Sequence, residues 1–132
     1  MLRPVRRPLV ALAVAATALA GCGGGPSDEE QVRTTVQAFS DATAAKDYQR
    51  LCDDLLAPKL VEKIKQVGLP CEVALQRGLG AVKKPKLTIG QVTVTGDAAT
   101  ADVRTSAAGQ QPSRDTLKLS KVGDDWRIAS LG

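Results

Sequence analysis

Between positions 28 and 45 the apolar side chains Val32, Val36 and Phe39 recur at intervals of three and four, with Thr43 on the same line and Ala38 and Ala42 beside it. That spacing predicts an amphipathic helix from Asp28 to Ala45. Ser27 stands where an N-cap belongs and Glu30 where a capping box needs its acid, while Asp28 and Glu29 suit the positive end of the helix dipole. Asp47 opens a second helix whose stripe, Tyr48, Leu51, Cys52 and Leu55, repeats at i, i+3, i+4 and i+7. Pro58 starts a third, with Leu60, Ile64 and Val67 as its buried side and Gly68 as its stop. Pro70 starts a short fourth, carrying Cys71, Val73, Ala74 and Leu75 and ending near Gly78 and Gly80.

After Pro85 the period changes to two. Leu87 and Ile89 alternate with polar residues, and the phase then slips to Val92 and Val94 across Gly90. A phase slip at a glycine inside a strand predicts a bulge. Gly96-Asp97 fits a hairpin turn, and Ala99, Ala101 and Val103 carry the alternation onto a second strand. A polar loop, SAAGQQPSRD, precedes a third strand with Leu117 and Leu119. Gly123-Asp124-Asp125 turns into a last strand from Trp126 to Leu131. Helices first and an antiparallel meander afterwards make an α+β domain.

The residues before this pattern have a different logic. Arg3, Arg6 and Arg7 stand without an acid, followed by an apolar run from Leu9 to Ala20 broken only by Thr17. A basic start, a short apolar run and small residues at its end are the marks of a secretory signal. A dozen residues rise only about 18 Å as a helix, short of a ~30 Å hydrocarbon core, so the run is too short to span a membrane. At its end, Leu19-Ala20-Gly21-Cys22 resembles the lipobox of bacterial lipoproteins. The resemblance implies cleavage between Gly21 and Cys22, a diacylglyceryl group on the Cys22 thiol, and a chain anchored to the cell membrane on its extracytoplasmic side. An ordinary secretory signal with an incidental cysteine is the alternative. On the lipobox reading residues 1–21 are signal, 22–26 a lipidated cysteine and glycine-rich tether, and 27–132 the domain.

That division alters the charge and cysteine accounts. The whole chain carries 18 Lys and Arg against 14 Asp and Glu. Three of those arginines leave with the signal, so the domain itself is nearly neutral. With Trp126, Phe39 and Tyr48 as the sole aromatic residues, it offers neither a basic surface nor stacking platforms, which argues against nucleic acid as a partner. Lipidation of Cys22 leaves Cys52 and Cys71 as a pair in a compartment where a disulfide persists. Two reduced, buried thiols are the alternative. Zinc is disfavoured because the chain has no histidine and no third nearby thiol, and no other cofactor is expected.

A capped first helix, the segment AAKDYQRLCDDL, and a meander closing on GDDWRIASL together resemble the NTF2-like (cystatin-like) domain. More narrowly, they resemble the small lipid-anchored NTF2-like proteins of GC-rich bacteria, which pair a cysteine in the second helix with one shortly before the sheet. The resemblance covers residues 27–132. It implies a cone, with a curved antiparallel sheet wrapped around the first helix. The aromatic residues Phe39, Tyr48 and Trp126 are candidates to line it, with Tyr48 alternatively a core residue of the second helix's stripe whose hydroxyl reaches the rim. It also implies a small apolar ligand or a neighbouring envelope protein as partner. Enzymatic members need a Tyr with acid partners, a His–Asp pair or an Asp–Arg–Asp cluster, and none of these maps onto this chain, so catalysis is not expected.

Other polar groups have plain explanations. Asp53 and Asp54 are helix neighbours about 100° apart and cannot face one site. Asp124-Asp125 suits a turn. Lys83-Lys84-Pro85-Lys86 reads as a solvated strand edge, with contact to anionic lipid as the alternative. Asp102 and Arg104 share one face of a strand, either towards water or in a polar pocket. Three functions thus stand side by side: a non-catalytic ligand-binding or accessory module, a docking module with a filled cone, and an NTF2-like enzyme. A cavity above ~300 Å³ favours the first. A buried Tyr–Asp contact or paired carboxylates favour the last.

Overall fold

The computed structural model describes residues 25–132. The expected signal segment, with Gly21, and residues 22–24 of the expected lipidated cysteine and tether lie outside the described residues. Among the described residues the chain forms α1 (Asp28–Ala45), α2 (Tyr48–Arg50) running into a π-helical turn (Leu51–Leu55), α3 (Pro58–Lys65) and α4 (Cys71–Leu79). The strands β1 (Lys86–Thr95), β2 (Ala98–Ser106), β3 (Ser113–Val122) and β4 (Asp125–Ser130) follow, paired antiparallel in the order β1-β2-β3-β4.

Helix α1 begins as the pattern predicts: the Ser27 side chain accepts a hydrogen bond from the Glu30 N–H at 3.2 Å. The reciprocal half of the capping box is replaced by Gln31, whose side-chain amide donates to the Pro26 carbonyl at 2.9 Å. The helix ends without glycine. Lys46 takes the left-handed conformation at φ 55°, its N–H donates to Thr43, and the Asp47 N–H donates to Ala42. This is a Schellman closure with a lysine where glycine is usual. The Lys46 ammonium donates to the Gly80 carbonyl at 3.0 Å, tying the end of α1 to the end of α4.

The second helix departs from the expected regular α form. From Leu51 the turn widens, and the Leu56 N–H bonds back five residues to the Leu51 carbonyl at 2.9 Å. One extra residue in the turn brings Leu56 inward alongside Leu51, Cys52 and Leu55, and all four are buried. The chain leaves this turn against β4, where Leu56 pairs with Ile128 and the Ala57 N–H donates to the Ile128 carbonyl at 2.7 Å. In α3, Leu60, Val61 and Ile64 are half-buried. Val67 does not join them. The helix stops at Lys65, and the turn to Gly68 at φ 83° carries Val67 off the apolar face to 69 % exposure. Cys52 and Cys71 form a disulfide, S–S 2.08 Å and Cα–Cα 6.1 Å, joining the π-turn to the start of α4.

The bulge at Gly90 is present. Ile89 pairs with Val103 and Val92 with Ala101, so Gly90 and Gln91 oppose Asp102 alone. A Cβ at Gly90 would stand 3.3 Å from the Asp102 carbonyl, so the missing side chain lets the bent strands approach. A second irregularity falls in β4, where Ala129 is the extra residue between Ile128↔Leu119 and Ser130↔Lys118. The β2–β3 loop is shorter than the polar run suggested, because Ser106 and Ser113 already belong to strands. Twist and bulges together curl the sheet, and α1 packs in its hollow. Val32, Val36, Leu51, Leu56 and Ile128 are fully buried there, with Ala101, Val103, Leu117, Leu119 and Trp126 around them.

Candidate functional site

Alternation along the strands sends Leu87, Thr105 and Ser113 to the same side of the sheet as the core residues Val103 and Leu117, but one step beyond the end of the packed core. Here α1 no longer fills the hollow. A cleft of about 210 Å³ remains, bounded by Phe39, Ser40 and Thr43 of α1, Leu79 of α4, Val82 and Pro85 of the following turn, Lys86 and Leu87 of β1, and the β2–β3 connection.

Its floor is apolar: Phe39, Leu79, Val82 and Leu87. Its wall is polar and mostly uncharged. Ser113 donates to the Asp115 carboxylate at 3.0 Å, so the 2.8 Å contact between Thr105 and Ser113 has Thr105 as donor. The Thr105 oxygen keeps accepting capacity. Thr43 is satisfied within its own helix, donating to the Phe39 carbonyl at 2.8 Å. Gln110 and Gln111 contribute side-chain amides without a protein hydrogen bond among the described residues, and Lys86 is the one ionisable side chain in the wall. Amides and hydroxyls around an apolar floor orient a small neutral molecule by its edge.

The three aromatic residues expected to share the cone are instead separated. Phe39 lines the cleft. Trp126 lies at the opposite end of α1, 3 % exposed, its indole N–H donating to Asp28 Oδ1 at 3.1 Å. Lys121 reaches the same oxygen at 3.2 Å. The indole hydrogen bond and then the Lys121 ammonium hold the Asp28 carboxyl below the usual carboxylate range. Tyr48 packs behind α4, its buried hydroxyl near Gly80 and without a hydrogen-bond partner among the described residues. The Tyr–acid contact that would favour catalysis is therefore not formed at Tyr48.

Leu79 continues the Cys71, Leu75 stripe of α4 one turn past the core, while Val82, Gln110 and Gln111 sit in no periodic stripe. The one signal that could have marked the glutamines was their adjacency in the polar loop. Asp53 and Asp54 are exposed, as are Lys83 and Lys84. Asp102 accepts from Thr116 at 3.0 Å on the outer face of the sheet, in an open depression with Arg104.

Comparison with known proteins gives the family: a model described as "Putative lumazine-binding" matches residues 27–131. The chain belongs to this lumazine-binding-like family. No curated protein matches it. Among solved structures, it is similar to the de novo designed NTF2 fold protein NT-9, at 15 % identity and TM-score 0.55, over 80 % of this chain and 87 % of that one. It is also similar to the solution structure of a SEC-C motif containing protein from Rhodopseudomonas palustris, at 13 % identity and TM-score 0.53, over 82 % and 92 % of the two chains. At such identities the likeness concerns fold alone. The domain has the α+β NTF2-like cone that the element order predicts.

Proposed function

We propose that this chain is a membrane-anchored, extracytoplasmic lipoprotein whose lumazine-binding-like domain holds a small ligand without transforming it. The observation that carries the reading is the cleft between Phe39, Leu79, Leu87 and the β2–β3 connection, apolar below and edged with hydroxyls and amides. Its wall supplies no acid–base pair, and Lys86 is its one ionisable side chain. At about 210 Å³ the cleft is below the ~300 Å³ typical of drug-sized ligands. The ligand is accordingly compact or protrudes at one end. A flat bicyclic heterocycle of the kind named by the family, with donors and acceptors on its rim and apolar faces, fits that chemistry.

The anchor rests on Leu19-Ala20-Gly21-Cys22. Acyl chains on Cys22 would contribute about 0.8 kcal/mol per buried methylene, and two or more chains give stable membrane attachment. Titrating the full chain in detergent against lumazine, followed by the ligand's own fluorescence, tests the ligand reading. A saturable change is expected, weakened at least tenfold in Leu87→Trp, which fills the floor. An unsaturable change, or equal affinity in that variant, would contradict it.

A further inference from the structure

The face of the sheet turned away from α1 carries an arrangement that the cleft does not use. In the β2–β3 register Arg104 stands directly opposite Arg114, and in the β1–β2 register Thr88 stands opposite Arg104. The three side chains therefore form one row across three strands, on one face. Directly opposed residues on an antiparallel pair have Cβ atoms about 5 Å apart, a placement that is unfavourable for like charges. Neither guanidinium forms an ion pair or a side-chain hydrogen bond among the described residues, although Asp102 lies on the same face in the adjacent row. Asp102 is engaged by Thr116 instead, at 3.0 Å. Asp115, next along β3, alternates to the other face and accepts from Ser113.

The row is not on a flat surface. The bulge at Gly90 bends β1 over β2, and the bend leaves an open depression of about 510 Å³ bordered by Thr88, Arg104, Arg114 and Thr116 and by the Asp102 and Asp115 positions. Two exposed arginines placed opposite one another on neighbouring strands, with a hydroxyl beside them, lack one component: a group with several anionic oxygens that accepts from both forks. Guanidinium geometry suits phosphate and carboxylate, and a doubly charged phosphoryl group also relieves the repulsion between the two arginines. We infer that the Arg104–Arg114 row is a binding site for a phosphoryl group, supplied either by a soluble phosphate monoester or by a lipid headgroup. The Asp102 carboxylate one row away limits the site to a compact anion at the arginine end. This inference is independent of the cleft and of its ligand.

The test uses the full chain in phosphatidylcholine nanodiscs, free of phosphate buffer, with the arginine Nε–Hε resonances as readout. Inorganic phosphate is titrated in one arm. In the other, discs containing equal parts of phosphatidylcholine and phosphatidic acid, whose headgroup is a phosphomonoester, replace the first. Saturable shifts of Arg104 and Arg114 with inorganic phosphate support a soluble phosphoryl ligand. Shifts confined to the phosphatidic acid discs support a lipid headgroup. Hydrogen bonds to charged groups are strong enough that Arg104→Ala or Arg114→Ala should weaken the response of the remaining arginine about tenfold. Arg114→Lys should recover only part of it, because the fork is lost. No shift in either arm, or equal shifts at Arg50 and Arg77 far from the row, would overturn the inference.

Discussion

Replacing both Cys52 and Cys71 by alanine removes the covalent link between the π-turn and α4 while leaving small apolar side chains in two buried positions. The bond spans a sequence separation of 19. Releasing a loop of that length restores chain entropy to the unfolded state equivalent to about 3 kcal/mol. A domain of this size has a total stability of roughly 5–15 kcal/mol, so the loss would be a large share of it. Converted at the entropy of unfolding of a ~100-residue domain, it corresponds to a fall in Tm of roughly 10–20 °C. Thermal unfolding of the full chain in detergent, followed by far-UV circular dichroism with and without reductant, measures it. The double variant should melt lower and be indifferent to reductant, whereas the parent should move towards the variant once reduced. A fall below about 4 °C, or a parent insensitive to reductant after unfolding and refolding, would refute the argument.

Because the Trp126 indole and Lys121 hold the Asp28 carboxyl below its usual range, its contribution to stability is complete above about pH 4 and is lost as pH falls through the lowered folded-state value. Asp28→Asn should flatten this acid-side dependence, and a carboxyl NMR titration giving Asp28 an ordinary value would remove its basis. Gly80→Ala should destabilise by about 1–3 kcal/mol, since a Cβ there would meet the Gln76 carbonyl oxygen at 2.5 Å; an unchanged denaturant midpoint would show that the turn yields freely. Cys22→Ala should move the protein from the membrane fraction to the soluble or secreted one, and a variant still sedimenting with membranes would end the lipobox reading.

Legibility in the sequence followed the length of each pattern. Helix α1 runs over several turns with a cap at its start, so its bounds could be read directly. The bulge in β1 was visible because apolar residues flank Gly90 on both sides and change phase across it. The bulge at Ala129 was not, since β4 has six residues and no stretch of alternation beyond it. A single turn cannot separate 3.6 residues per turn from the wider π form, so the burial of Leu56 became evident only through its contact with Ile128. Lys46 in the left-handed conformation stands where glycine is usual, so residue type does not announce the Schellman closure. Its ammonium reaches the Gly80 carbonyl just after α4, 34 residues away.

The cleft was the least legible feature for the same reason. Its floor comes from Phe39, Leu79 and Leu87 on three elements, and its wall from Gln110 and Gln111 in a loop. Aromatic character alone suggested Phe39, Tyr48 and Trp126 together. The fold uses Trp126 to anchor the start of α1 through Asp28 and Tyr48 to back α4, leaving Phe39 at the cleft.

Native mass spectrometry of the full chain, purified in mild detergent from the cells in which it is made, tests the ligand-holding claim most directly. A population heavier than the protein alone by one small molecule is expected. That excess should vanish on denaturation and be absent from Leu87→Trp. A chain that flies bare in every preparation and gains no mass from added lumazine would contradict it, leaving the cone as a structural or docking module.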